Sequence, residues 1–253
     1  MRASFFLAAL LALSVAWAPD TATAQDEDTR YIYAVYYECG PNTAEAVATI
    51  RDDFGPIIQR KIDAGAMTAW GLYRHNTGNS WTLVLYLTGD DVGSLNTALE
   101  EAGAEYFGDH PDESAALNEA CPNHEDYIWT SELSSGPEAG AGQQSPTAAM
   151  SVYWVCEMNR EAVADMIVEH VWAPYLDQQV ADGKLTGWTW NEHYIGGEIR
   201  RLLNRTAANH EALMTARDEM IEADLAPAAI GAEFSDICYS HQDNLYDIVT
   251  TSP

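Results

Sequence analysis

Residues able to do chemistry recur at matching positions in the two halves of this 253-residue chain. Trp70 and His75 in the first half are answered by Trp188 and His193 in the second. Only the second half adds a group of bases, in the run Ile199-Arg200-Arg201-Leu202-Leu203-Asn204-Arg205. A guanidinium meets a carboxylate through two parallel hydrogen bonds, so Arg201 and Arg205 could hold an anionic ligand beside His193. The competing use is pairing with Glu192, Glu198 or other acids in a chain of net charge −27. Trp70 and Trp188 could stack on an apolar molecule or fill a core. His75 and His193 could bind a ligand, or end a strand at a turn. In each half the histidine follows the tryptophan by five residues, and an odd separation along a strand sends two side chains to opposite faces. One pocket therefore does not take both from the same half. The ligand-binding candidates are Arg201, Arg205, His193, Trp188, His75 and Trp70, and no residue is assigned a catalytic role.

The four cysteines sharpen the impression of two halves. Cys39 and Cys121 are 82 residues apart, and so are Cys156 and Cys238. Four cysteines allow three pairings, and a chain written twice selects Cys39–Cys121 and Cys156–Cys238. The zinc reading of Cys121-x-x-His124 and Cys238-x-x-His241 supplies one ligand pair per half, where a closed site needs two. No nucleophile elbow, P-loop, dinucleotide-binding glycine motif, HExxH or EF-hand loop occurs. No metal and no cofactor are expected. The acidic balance repels phosphate backbones and anionic lipid, so neither nucleic acid nor a membrane surface is an expected partner.

These residues sit on a duplicated framework. Adding 117 to Tyr36, Cys39 or Asn42 gives Tyr153, Cys156 or Asn159; adding 118 to Pro56, Gly65, Trp70, His75 or Gly78 gives Pro174, Gly183, Trp188, His193 or Gly196. Each copy is long enough to be a domain. Residues 1–24 read as a secretory signal: Arg2, an apolar run from Phe5 to Trp17, then Ala22-Thr23-Ala24. Residues 25–133 form the first repeat, 134–147 a Gly/Pro/Ser-rich linker spanning roughly 20 Å, and 148–253 the second repeat. The expected chain is a monomer, soluble, and either periplasmic or secreted.

Within the first copy, Tyr31 to Glu38 reads as a strand. A helix follows, capped by Asn42 or Thr43 and kinked or restarted at Pro56. Met67 to His75 and Trp81 to Thr88 form a hairpin, and a second helix runs from Asp90 or Asp91 to about Gly103. A short helix near residues 113–120 and a strand from Tyr127 to Leu133 close the unit, and the second copy repeats the order. Strand–helix–strand–strand–helix–strand is the ferredoxin-like unit, with helices on one sheet face and the other face in need of a cover.

The run Val171-Trp172-Ala173-Pro174-Tyr175, followed by Gly183-Lys184-Leu185-Thr186-Gly187-Trp188, has its counterpart in Phe54-Gly55-Pro56-Ile57 and Gly65-Ala66-Met67-Thr68-Ala69-Trp70. On these segments and the element order, the chain resembles the dimeric α+β barrel superfamily. That resemblance implies an α+β fold: two ferredoxin-like βαββαβ repeats packed sheet to sheet as an intramolecular barrel, a pseudo-dimer in one chain. The superfamily includes cofactor-independent monooxygenases, haem-degrading enzymes, chlorite dismutases, isomerases and proteins of no known activity, so it implies no single reaction. The expected function is binding of a small apolar or anionic molecule in the barrel. The alternative is a monooxygenase-like enzyme using His193 and Arg201, and a third reading is haem binding through a paired histidine.

Overall fold

The structure is a computed structural model describing residues 30–78, 80–136 and 145–252. The signal-like segment and the middle of the linker lie outside the described residues. The first repeat comprises β1 (Arg30–Glu38), α1 (Thr43–Thr49), α2 (Gly55–Asp63), β2 (Ala69–Thr77), β3 (Leu83–Gly89), α3 (Val92–Asp109), α4 (Pro111–Ala120) and β4 (Asn123–Ser135). The second repeats it as β5 (Ala148–Val155), α5 (Glu161–Ile167), α6 (Ala173–Ala181), β6 (Gly187–Ile195), β7 (Arg201–Ala207), α7 (His210–Glu222), α8 (Ala228–Ile237) and β8 (Ser240–Thr251).

Local chemistry explains where these elements start and stop. Pro56 and Pro174 have no N–H to donate, and the proline ring crowds the carbonyl one turn back. The helix answers in both repeats with a π-turn, Ile50–Phe54 and Val168–Trp172, and restarts as α2 and α6 with proline in the first turn. Gly65 and Gly183 stop these helices at φ 75°, a left-handed conformation that favours glycine. Asn42 makes no side-chain cap, and Thr43 bonds back to the Gly40 carbonyl instead. Asp91 does cap α3, accepting from the Ser94 N–H at 2.7 Å. That helix runs beyond Gly103 to Asp109 because Leu95, Ala98, Ala102 and Tyr106 continue one buried stripe.

Eight antiparallel strands close into a barrel in the order β1-β3-β2-β8-β5-β7-β6-β4. Each repeat contributes four neighbours in ferredoxin-like order, and the seams β2–β8 and β4–β6 join the repeats. At the second seam β4 continues through Ser134 and Ser135, two residues into the linker read from the sequence, pairing with Thr189 and Trp188. Strand period 2 sends alternate side chains to a helix-covered outer layer and to the interior. Two separate outer cores result, one under the helices of each repeat. A third, interior cluster draws on both: Ala34, Tyr36, Tyr73, Tyr127 and Trp129 with Ala149, Tyr153, Leu202 and Tyr246. The disulfides are Cys39–Cys121 and Cys156–Cys238, each pinning the end of a repeat's first strand to its last helix.

Candidate functional site: the barrel cavity

The interior positions of the strands enclose a cavity of about 870 Å³, within the usual size of small-molecule sites. It opens where β1 and β6 begin and β3, β4 and β7 end. Its rim carries Arg30, Thr88, Glu132 and Thr206, and its walls are Ile32, Ala34, Tyr73, Val84, Tyr86, Ser151, Asn191, Leu202 and Asn204. Rings from both repeats make the floor: Tyr36 lies 4.4 Å from Trp81 and 5.7 Å from Tyr153, and Trp81 lies 5.1 Å from Tyr153. Tyr127 stacks on Trp129 at 5.1 Å.

Phenols and amides are woven together around this space. Trp129 Nε1 donates to the Tyr36 hydroxyl at 3.2 Å, and the Tyr153 and Tyr246 hydroxyls lie 3.4 Å apart. Asn244 Nδ2 donates to Tyr246 at 2.9 Å, and Tyr36 and Tyr153 bond to one another. A second group links Tyr86, Tyr73 and Asn204, with Ser151 Oγ donating to Asn204 Oδ1 at 2.9 Å. Burial, the largest effect in each case, raises the pKa of Tyr36, Tyr73, Tyr86, Tyr153 and Tyr246. These phenols are therefore neutral, and among the described residues the cavity's charged groups are confined to Arg30 and Glu132 at the rim.

Of the residues singled out from the sequence, Trp188 reaches the cavity and the others fall elsewhere. Arg201 and Arg205 do not point into the barrel, because β7 alternates Leu202, Asn204 and Thr206 inward and Arg201, Leu203 and Arg205 toward the helices. Arg201 is 1% exposed and grips Asp165 of α5 with two bonds of 2.7 Å, with Glu161 at 3.2 Å and Glu192 at 3.5 Å. Pairing with acids is thus its actual use. Arg205 lies between β7 and α7 with no carboxylate of the described residues in bonding range; its nitrogens face the sulfurs of Met150 at 3.1 Å and Met220 at 3.9 Å. Burial first, then the Arg217 charge, pushes its pKa down to about 10.

Trp70 and Trp188 belong to the outer cores, and the Trp188 indole donates to Asp177 at 2.9 Å. Trp188 also lies at the cavity rim. The histidines face inward but sit at the seams, below the cavity. His193 pairs in register with Trp129, and His75 with Tyr246, each ring edge-on to its neighbour at 6.3 and 6.2 Å. Arg200 Nη1 donates to His193 Nδ1 at 2.5 Å while its Nε holds Glu161 at 2.6 Å. Burial, then the Arg200 charge, lowers the His193 pKa. Cys121 and Cys238 are taken by the disulfides. His124 and His241 lie beside Asp126 and Asp243 at 3.6 and 3.9 Å.

Trp188 apart, sequence reasoning passed over the residues that line the cavity. Their signal was parity: once the outer face of β3 is assigned to Leu83, Leu85 and Leu87, the inner face must be Val84, Tyr86 and Thr88. Asn191 and Asn204, amides in otherwise buried strands, mark the same face in the second repeat.

No protein-family model matches this chain, and no curated protein matches it. Solved structures do. A candidate monooxygenase from Fusobacterium nucleatum aligns over 88% of this chain and 94% of its own, at 6% identity and a TM-score of 0.64. A candidate monooxygenase from Lactobacillus acidophilus aligns over 89% and 96%, at 10% identity and a TM-score of 0.60. A chlorite dismutase from Candidatus Nitrospira defluvii aligns over 88% and 91%, at 9% identity and a TM-score of 0.52. The chain has the dimeric α+β barrel fold, with both halves of the barrel in one polypeptide.

Proposed function

We propose that this protein is exported and binds one small, neutral, largely apolar molecule in the barrel cavity. The observation that carries the reading is the wall: aromatic and aliphatic side chains with neutral amides and hydroxyls, and charge only at the rim. A carboxylate or phosphate taken into such a space would be desolvated without a counter-charge, at a cost far above that of a neutral group. The arginines that would have favoured an anion are bonded to acids or sealed in the outer core. Export rests on the signal-like N-terminus and agrees with two disulfides. No helix among the described residues is long and apolar enough to cross a membrane.

Ala34→Trp supplies the test. Ala34 is buried on the interior face, so an indole there fills the cavity from within. Solvent extraction of the purified protein followed by mass spectrometry should recover a neutral compound from the native chain and not from the variant. Equal recovery from both would place the ligand elsewhere and end the reading.

A second reading, a cofactor-independent oxygenase, is favoured by the two candidate monooxygenases of the same fold. Its polar groups would be Asn191 and the wall tyrosines, since Arg201 and His193 do not reach the cavity. Oxygen uptake during turnover of the recovered compound supports it. Haem fits the cavity poorly: of the usual axial ligands its described walls offer tyrosine, which binds iron as tyrosinate, and burial holds these phenols neutral.

A further inference from the structure

The two repeats line the cavity with different chemistry. Tyr73 and Tyr86 of the first repeat correspond to Asn191 and Asn204 of the second, each 118 residues on. Tyr73 bonds to both Tyr86 and Asn204, and Tyr36, Tyr153 and Trp129 form the other group, so each of these polar side chains has a protein partner. Asn191 is different. Its Nδ2 donates to Thr189 Oγ1 at 2.9 Å and to the Leu202 carbonyl at 3.2 Å, which fixes the amide's orientation. Its Oδ1 is left with no partner, although the residue is 1% exposed. Of the buried side-chain atoms without a partner among the described residues, this one belongs to a cavity-lining residue. An unpartnered buried acceptor is costly, by about 1–3 kcal/mol, and a donor arriving from the cavity would remove that cost.

Resting on the proposed binding function, we propose that Asn191 Oδ1 accepts a hydrogen bond from an O–H or N–H group of the bound molecule. The ligand class is an uncharged, largely apolar compound carrying such a donor on one edge. The donor edge meets the amide wall of the second repeat, and the apolar body meets Tyr73, Tyr86, Val84 and Ile32 of the first. Asn191 is a specificity-determining residue: it selects donor-bearing molecules over those of equal shape without one.

Calorimetric titration of the full chain with 2-naphthol and with its methyl ether tests this. The two probes share a body, and the ether lacks the donor. Native protein should bind 2-naphthol at least roughly tenfold more tightly than the ether, as one satisfied acceptor implies. Asn191→Leu should bring the ratio close to one while ether binding persists, and Ala34→Trp should abolish binding of both. Equal affinity of the native protein for the two probes overturns the role of Asn191 and leaves the cavity-binding reading standing. Failure of both probes to bind removes both. The native ratio decides even if Asn191→Leu does not fold, and Asn191→Ser, smaller and still polar, supplies a second variant.

Discussion

Arg201 and Arg205 lie four residues apart on the same face of one strand, and the same change, to leucine, should move stability in opposite directions. At both positions the first repeat already carries leucine, Leu83 and Leu87, so the substitutions are compatible with the fold. Arg205 is 5% exposed, has no acid in bonding range among the described residues, and has a pKa pushed down to about 10, chiefly by burial. At about 1.4 kcal/mol per pKa unit, that depression means that holding the guanidinium charged in the fold costs about 3 kcal/mol. The sign follows from linkage. Because the folded pKa is the lower one, the cost is present in full below pH 10 and fades as pH rises through that value toward the unfolded pKa. Arg205→Leu removes the cost and gives back part of the gain as imperfect packing. A net gain of about 1–3 kcal/mol is expected. Arg201→Leu instead strips the partner from Asp165 and Glu161, the latter 6% exposed. Breaking a buried pair in this way typically costs about 3–5 kcal/mol. Urea unfolding near neutral pH, followed by tryptophan fluorescence, reads both midpoints. A loss for Arg205→Leu comparable to that for Arg201→Leu would refute the reasoning, by showing that Arg205 has a stabilising counter-charge.

Three other consequences are open to direct test. Replacing Cys156 and Cys238 together by serine should cost at most about 4–5 kcal/mol in unfolding experiments, and non-reducing peptide mapping should show no crosslink between the repeats. The His193 pKa is lowered below 6.5 by burial and Arg200, so the fold binds this proton less well than the unfolded chain. Stability from this site is complete above pH 6.5 and falls as pH drops through the lowered value, a dependence that His193→Gln should abolish. Gly71 faces the Tyr86 ring, where an added Cβ would lie 2.5 Å from its atoms; Gly71→Ala should therefore displace that ring and cost about 1–3 kcal/mol, read by thermal unfolding and by altered probe affinity.

The architecture was legible because its determinants are local and repeated. Proline, glycine and cysteine positions recur at offsets of 117 or 118, and each imposes the same helix restart, helix stop or crosslink twice. The site was less legible because ligand-facing residues differ from core residues only by parity along a strand. The arginines stood out by composition, yet charge in a sequence does not say which sheet face it occupies. Asp165 and Glu161, which decide the role of Arg201, lie on a helix about 40 residues earlier, beyond any spacing argument. Helix ends failed in a similar way: Gly103 looked like a stop, but the buried stripe through Ala102 and Tyr106 carried α3 past it.

Divergence between the repeats is organised by cross-strand neighbours. Gly71 pairs in register with Tyr86, and the corresponding pair in the second repeat is Thr189 with Asn204. A large ring on β3 needs a residue without a side chain beside it on β2; the shorter Asn204 leaves room for Thr189. One step deeper, Tyr73 pairs with Val84, while Asn191 pairs with Leu202. Two adjacent interior rungs have thus exchanged phenol for amide, with the neighbouring residue adjusted at the first. On the outer face of β7, Leu83 and Leu87 gave way to Arg201 and Arg205 in the same strand. The outer change is answered by acids on α5 and by methionine sulfurs. The inner change leaves Asn191 Oδ1 with no answer among the described residues. A polar group that a duplicated fold gained and did not pair internally is best explained by what enters the cavity, and the donor-selective titration is the measurement that decides it.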